Sequence, residues 1–269
     1  IVFHAAALKH VPKIEYNPFE AIKTNIFGSQ NVIDASIVQD VEKVVCIGTD
    51  KAVSPLNTYG ATKLIMEKLF VSANNYLSED EHRTKFVAVR YGNVLGSNGS
   101  VVPKFIQQLK LRKPISITDY RMTRFTITMN DALDFILKST EIAKGSEVFI
   151  PKMVSYDMKV LLSSLYNLAE KTSEDEIGIR PGEKLHEVLI NSDELPYTYE
   201  IGNLFVILSP LIHPSIDSSA NMRSFNDEEL NRRYPGIKKV NDMKIYSSDN
   251  ADKVSQENLT KMISDLRLF

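Results

Sequence analysis

The sequence predicts an α/β fold, a doubly wound parallel sheet with a smaller second lobe. Three observations carry this. Apolar, β-branched runs alternate with helical patterns from residue 1 to about 150. Those runs are too apolar throughout for a sheet with one wet face, which is how parallel strands read. Beyond about 150 the alternation gives way to short strands, turns and a polar tail. We therefore expect 1–150 to form the sheet region with any chemistry at its strand ends. Residues 151–269 should form mainly the smaller, substrate-binding lobe, interleaved with the first.

The expected strands are "IVFH", "KVVCIG", "KFVAVRY" and "SEVFIP". Between the first two, "NPFEAIKTNIFGSQNVIDASIVQD" starts with Asn17 as N-cap and Pro18 at the first helical position. It should bury Phe19, Ile22, Ile26 and Ile33 against one sheet face. A second helix should run from about Asn57 to Tyr76, with Leu64, Met66, Leu69, Phe70 and Ala73 turned inward. A third is expected in "NDALDFILKSTEIA". "TSEDE" at 172 to 176 reads as a solvated loop, and no internal repeat or low-complexity tract is present.

Composition narrows the function. The chain has 269 residues, 43% hydrophobic and 25% charged, enough for a substantial core. With 32 basic and 34 acidic residues the net charge is -2, so there is no broad cationic field for nucleic acid. No apolar run approaches the roughly 20 residues of a membrane helix; the longest candidate is "LFVIL" at 204 to 208. No signal peptide is visible. The single cysteine, Cys46, rules out an intramolecular disulfide and fits a buried thiol in a reducing, cytoplasmic setting. His4, His10, His82, His186 and His213 show no pair at ligand spacing and no cysteine companion, so no metal is expected. His4 reads as core, and His186 as support for the turn around it.

One stretch concentrates chemistry. "GTDKAVSPLNTYGATK", residues 48 to 63, crowds Thr49, Asp50, Lys51, Tyr59 and Lys63 into one strand-to-helix crossing. Tyr59 and Lys63 are four apart and share a helix face, where an ammonium favours the phenolate. Such a phenol can take a proton from an alcohol. The pair alone is weak, and an N-capping Asp50 with surface lysines is the plain alternative. Its place at the carboxyl end of a buried strand, where α/β folds bind ligands, strengthens it.

Together "HAAALKHVP", "TDKA", "YGATK", "RYGNVLGSNGSVVP" and "GIRPGEKLHE" resemble the extended short-chain dehydrogenase/reductases, which are Rossmann-like. Within them the likeness is to the inverting UDP-N-acetylglucosamine 4,6-dehydratases of pseudaminic acid and polysaccharide biosynthesis. It runs in order from residue 1 to about 190. The resemblance implies a hydro-lyase that oxidises sugar C4, eliminates water across C5 and C6, and returns hydride to C6, leaving a 4-keto-6-deoxy sugar inverted at C5. It implies Tyr59 as the base at C4, Lys63 tuning it and holding the nicotinamide ribose, and Thr49 on the substrate hydroxyl. Lys51 is implied as the base at C5, and Asp50 as the acid at C6.

By the same resemblance Ala5, Ala6, Tyr59, Lys63 and Val94 are implied to bind cofactor. Lys9, Thr49, Asn93, Val102, Arg124, Arg180 and Glu183 would meet the UDP-sugar. The resemblance leans to NADP over NAD, and implies a homo-oligomer, dimer or hexamer, with no membrane contact. The glucose 4,6-dehydratases carry Glu after the Asp, and the 4-epimerases lack the acid/base pair, so Lys51 separates this chain from both. Relatives in membranes carry Met in place of Tyr59.

No G-x-G-x-x-G follows any strand, and "AAALKH" cannot replace that phosphate turn. With "IVFH" as a bare start, we expect the first strands to lie before residue 1. The alternative is an inactive, shortened relative acting as a binding or assembly partner, or a 4-epimerase-like oxidoreductase. "GSNGS" at 96 to 100 lacks the Walker context and reads as a substrate loop.

Overall fold

A computed structural model describes residues 1–77, 82–208 and 227–269. All four expected strands are present. Val2–His4, Lys43–Ile47, Lys85–Val89 and Glu147–Pro151 lie side by side and parallel. Val44, Val45 and Cys46 and the run Phe86–Val89 have essentially no solvent exposure, as strands covered on both faces should. Three further strands extend the sheet antiparallel beyond Glu147–Pro151, in the order Leu204–Leu208, Thr198–Ile201 and Lys238–Lys239. "LFVIL" is thus a buried inner strand. No described helix is long and apolar enough to cross a membrane.

The chain divides into two compact units that interleave more deeply than a boundary near 150. The first contains Ile1–Tyr91, Phe135–Lys152 and Leu189–Ile245; the second contains Gly92–Asp134, Met153–Val188 and Tyr246–Phe269. Each has its own core. In the first, Val45, Val87, Val89, Phe149 and Val206 pack with Phe135, Leu230 and Tyr234. In the second, the helices Val101–Lys110, Met158–Tyr166 and Gln256–Asp265 close over Ile115, Ile117, Leu161, Leu165, Leu259 and Ile263.

The helix after the first strand differs from its expected face. A short helix Val11–Tyr16 precedes it, and Pro18 does open the main one, with Asn17 at the N-cap but making no side-chain cap. Over Ile22–Phe27 the backbone widens into a π-helical turn before α-helix resumes at Gly28–Val38. The buried positions are Ala21, Asn25, Ser29, Ile33 and Ser36, while Phe19 is 71% exposed and Ile22 and Ile26 only partly covered. Small and polar side chains let this helix approach its neighbours closely, which the apolar stripe Phe19, Ile22 and Ile26 would not allow.

The second helix, Thr58–Ala73 with a 3₁₀ turn to Tyr76, matches its expected extent. Met66, Phe70 and Ala73 are buried; Leu64 and Leu69 are half-buried. "TSEDE" is not simply a solvated loop. Glu174–Glu176 pairs in parallel with Ile115–Ile117, because the Glu174 carboxylate accepts the hydroxyls of Tyr120 (2.7 Å) and Tyr166 (2.8 Å).

Candidate functional site

The first unit gathers the five residues of the crossing. Lys43–Ile47 ends, Gly48 donates its amide to the Val89 carbonyl, and the chain turns through Asp50–Ala52. The amide of Asp50 bonds the Tyr91 carbonyl at 3.1 Å, anchoring the turn to the next strand end. Asn57 caps the following helix by accepting the Gly60 amide at 2.8 Å. Gly60 is the close approach that makes the site: a Cβ there would fall inside contact distance of the Lys51 carbonyl oxygen. Tyr59 is held beside Asp50 and Lys51 for this reason.

Asp50 has no exposed side-chain surface, and Lys51 Nζ bonds its Oδ1 at 2.9 Å. Thr49 Oγ1 donates to the same oxygen at 3.0 Å. The other oxygen, Oδ2, is buried without a hydrogen-bond partner. A carboxylate oxygen in that condition costs stability unless something polar meets it. Lys51 remains partly exposed.

Burial raises the Tyr59 hydroxyl above its usual pKa, Lys51 draws it back down, Asp50 pushes it up, and the bond to Thr49 lowers it. The ammonium acting here is that of Lys51. Lys63, expected in this role from its spacing, instead donates to the Ile47 carbonyl at 2.6 Å and reaches Met66 Sδ at 3.5 Å. Burial lowers Lys63, while Cys46 and Glu67 raise it.

The loop after the first strand presents Ala5 and Ala6, both exposed, followed by Lys9. It is pinned by Asn25, which the sequence reading missed. Asn25 Oδ1 accepts the Leu8 amide at 2.7 Å, and its Nδ2 donates to the Leu8 carbonyl and to Thr62 Oγ1, both at 3.0 Å. Its signal was an asparagine at a core helix position, where only a satisfied amide belongs. His4 is core, stacked on Phe70 and bonded to Ser29 at 3.0 Å.

A nicotinamide dinucleotide fits part of this unit. Small Ala5 and Ala6 leave main chain accessible at a strand's carboxyl end, and the Lys63 ammonium and Tyr59 hydroxyl lie at the next strand end, suiting a ribose and a reacting alcohol. No described strand is followed by a glycine-rich phosphate turn. Among the described residues no group of His, Cys, Asp and Glu could hold a metal; His213 lies outside them.

The other expected substrate residues belong to the second unit. Asn93–Val94 pairs in parallel with Thr123–Ile127, which carries Arg124. Val102 is buried in the helix Val101–Lys110. Arg180 and Glu183 face each other at 3.7 Å across a turn with Gly182 at φ +80°. Arg124 is committed elsewhere: it donates to the carbonyls of Thr123 (2.7 Å), Leu185 (2.9 Å) and Lys184 (3.0 Å). It braces the turn that His186 also supports through Thr123 at 2.8 Å. Burial lowers the pKa of Lys104, a residue not expected from sequence; Arg180 lowers it further, while Glu183, the partner of Arg180, raises it.

Comparison with known proteins agrees with this geometry. The family described as "Polysaccharide biosynthesis protein" matches residues 1–209. A Campylobacter jejuni protein named UDP-N-acetylglucosamine 4,6-dehydratase (inverting) is 47% identical over 257 residues, 95% of this chain and 73% of its own length. A Rickettsia bellii protein named UDP-glucose 4-epimerase is 36% identical over 266 residues, covering 98% and 74%. The X-ray structure of Pen from Bacillus thuringiensis superposes with a TM-score of 0.80 at 40% identity, covering 100% of this chain and 76% of that one. The chain belongs to the polysaccharide biosynthesis protein family of extended, Rossmann-like short-chain dehydrogenase/reductases.

Proposed function

We propose that the chain carries the chemistry of a UDP-N-acetylglucosamine 4,6-dehydratase with inversion at C5, a hydro-lyase. The observation that carries this is the buried Asp50 carboxylate, paired with Lys51 on one oxygen and orphaned on the other. A simple alcohol oxidation needs only a phenol and its ammonium. An acid/base pair set against them has use only if a second bond is broken.

The residues divide the work. Thr49 orients the C4 hydroxyl and Tyr59 accepts its proton. The Lys51 ammonium passes its proton to the Asp50 carboxylate across their 2.9 Å bond, and the resulting amine removes the C5 proton that the C4 ketone acidifies. Asp50 then delivers that proton to the C6 oxygen as the C–O bond breaks, so water leaves. Return of a proton to C5 from the opposite face inverts that centre. A bound nicotinamide nucleotide, NADP on the resemblance, would accept hydride from C4 and return it to C6. Ala5, Ala6 and Lys63 would hold it. In the second unit Asn93, Val102 and Glu183 would line the sugar nucleotide. Arg180 with Lys104 would meet its diphosphate, and Arg124 would act behind them by bracing their turn. The buried thiol fits a cytoplasmic enzyme.

The relative named as an epimerase offers a second reading, in which C4 is inverted and the C6 oxygen kept. Product analysis by NMR after incubation with UDP-N-acetylglucosamine and NADP separates them. A 4-keto-6-deoxy sugar supports the dehydratase; a C4-inverted sugar with its C6 hydroxyl intact overturns it.

A further inference from the structure

The first unit holds a buried ion cluster that this chemistry does not use. Arg90, directly after the strand Lys85–Val89, has 0% exposure. Its Nε and Nη2 grip the Glu67 carboxylate at 3.0 and 2.5 Å. Its Nη1 and Nη2 grip Glu194 at 3.0 and 2.8 Å, and Nη1 also donates to the Leu189 carbonyl at 2.8 Å. All five guanidinium hydrogens are thereby used. Glu194 is itself fixed, accepting the Asn191 amide at 3.1 Å while Asn191 Oδ1 accepts the Glu194 amide at 3.0 Å.

Stability alone is a poor reason for such a cluster. Two carboxylates share one guanidinium, and buried ion groups are commonly matched by apolar side chains of the same volume. Its placement supplies a better reason. Glu67 lies one turn after Lys63 and two after Tyr59, on the same helix face. The main chain that carries Arg90 bonds both sides of the crossing, Val89 to Gly48 and Tyr91 to Asp50. A Cβ on Gly48 would lie 3.5 Å from the Glu67 carboxylate, so that carboxylate sits on the bend of the crossing itself.

We propose that Arg90, clamped by Glu67 and Glu194, is the positioning residue that sets the height of the helix Thr58–Ala73 over the strand ends, and so the placement of Tyr59 and Lys63 against Thr49, Asp50 and Lys51. This rests on the functional reading above. Arg90 touches no reacting atom in it.

Three variants test the clamp. Arg90→Lys keeps the charge and loses the fork; an ångström of drift at the reacting atoms costs up to about 10²-fold in rate. We expect kcat to fall about 10- to 100-fold with KM for the UDP-sugar changed less than about threefold. The combined change of Arg90, Glu67 and Glu194 to Met should restore or keep thermal stability without restoring kcat. A stable triple variant with wild-type kcat would overturn the proposal. If the triple variant does not fold, Glu194→Gln decides: it should lower kcat severalfold at unchanged KM, and unchanged kcat would overturn the clamp. Failure of the functional reading is distinguishable, because wild type would then form no 4-keto-6-deoxy product from UDP-N-acetylglucosamine. The ring-carbon NMR resonance of Tyr59, assigned by its loss in Tyr59→Phe, still reports position: it should move in Arg90→Lys, and an unmoved resonance rejects the proposal.

Discussion

At the scale of single residues, Gly60 and Cys46 show how much a side chain, or its absence, is asked to do. Gly60→Ala inserts a methyl group against the Lys51 carbonyl and Pro55, so the helix start must move away from the crossing. We expect kcat to fall at least about tenfold, the cost of displacing Tyr59 from its partners; unaltered turnover would show that the close approach has no part in catalysis. Burial pushes the Cys46 thiol up to about 12. At pH 8 only about one thiol in ten thousand is then ionised, against about one in ten for a free thiol of pKa 9. Alkylation should therefore be slow in the folded protein and fast once it unfolds. Because the folded pKa is raised, the unfolded state loses this proton first, so this group erodes stability as pH rises from about 9 towards 12. Tyr59, Lys63 and the Asp50–Lys51 pair were legible in sequence because motif spacing fixes their side of the helix and turn. That Lys63 reaches for the Ile47 carbonyl, leaving Lys51 as the cation acting on Tyr59, was not. Periodicity gives a face but not the direction in which a long side chain lies.

At the scale of elements, the parallel strands were readable because both-faces burial writes a continuous apolar run. The helix through Ile22–Phe27 was misread because its contact face is built from Ala21, Asn25 and Ser29, residues that hydrophobic periodicity does not count. Glu174–Glu176 was hidden for a related reason: the Glu174 carboxylate is met by two tyrosine hydroxyls, one of them from Tyr120, 54 residues away in sequence. The cap of the helix carrying Tyr59 is a separable contribution. Asn57→Ala removes the acceptor for the Gly60 amide and should cost about 1 kcal/mol, read from the denaturant midpoint with an unchanged slope. In the second unit Leu161→Ala, at a fully buried position, should cost about 2 to 5 kcal/mol. A loss below about 0.5 kcal/mol in either would contradict the packing described.

At the scale of the whole molecule, the fold class was legible, but the partition of the chain was not. The antiparallel extension Leu204–Leu208 and Thr198–Ile201 returns to the first unit after a long excursion through the second, and no local pattern marks such a return. The expected substrate residues divide accordingly, with Arg180 in the second unit, half exposed and close to Lys104. Arg180→Ala should raise KM for the UDP-sugar about tenfold, one charge-assisted hydrogen bond's worth, with little change in thermal stability. A fall in stability with KM unchanged would make it a structural residue. The central claim is that one crossing carries two acid/base sets acting on different bonds, and the position of solvent hydrogen in the product tests it most directly. With UDP-N-acetylglucosamine in deuterated water, the wild type should give a 4-keto-6-deoxy product deuterated at C5. Tyr59→Phe should give no product, and Lys51→Ala should slow C5 exchange about 10²- to 10⁴-fold. Undiminished deuterium incorporation at C5 in Lys51→Ala would contradict the account, leaving Tyr59 and Lys63 as a single-step oxidoreductase pair.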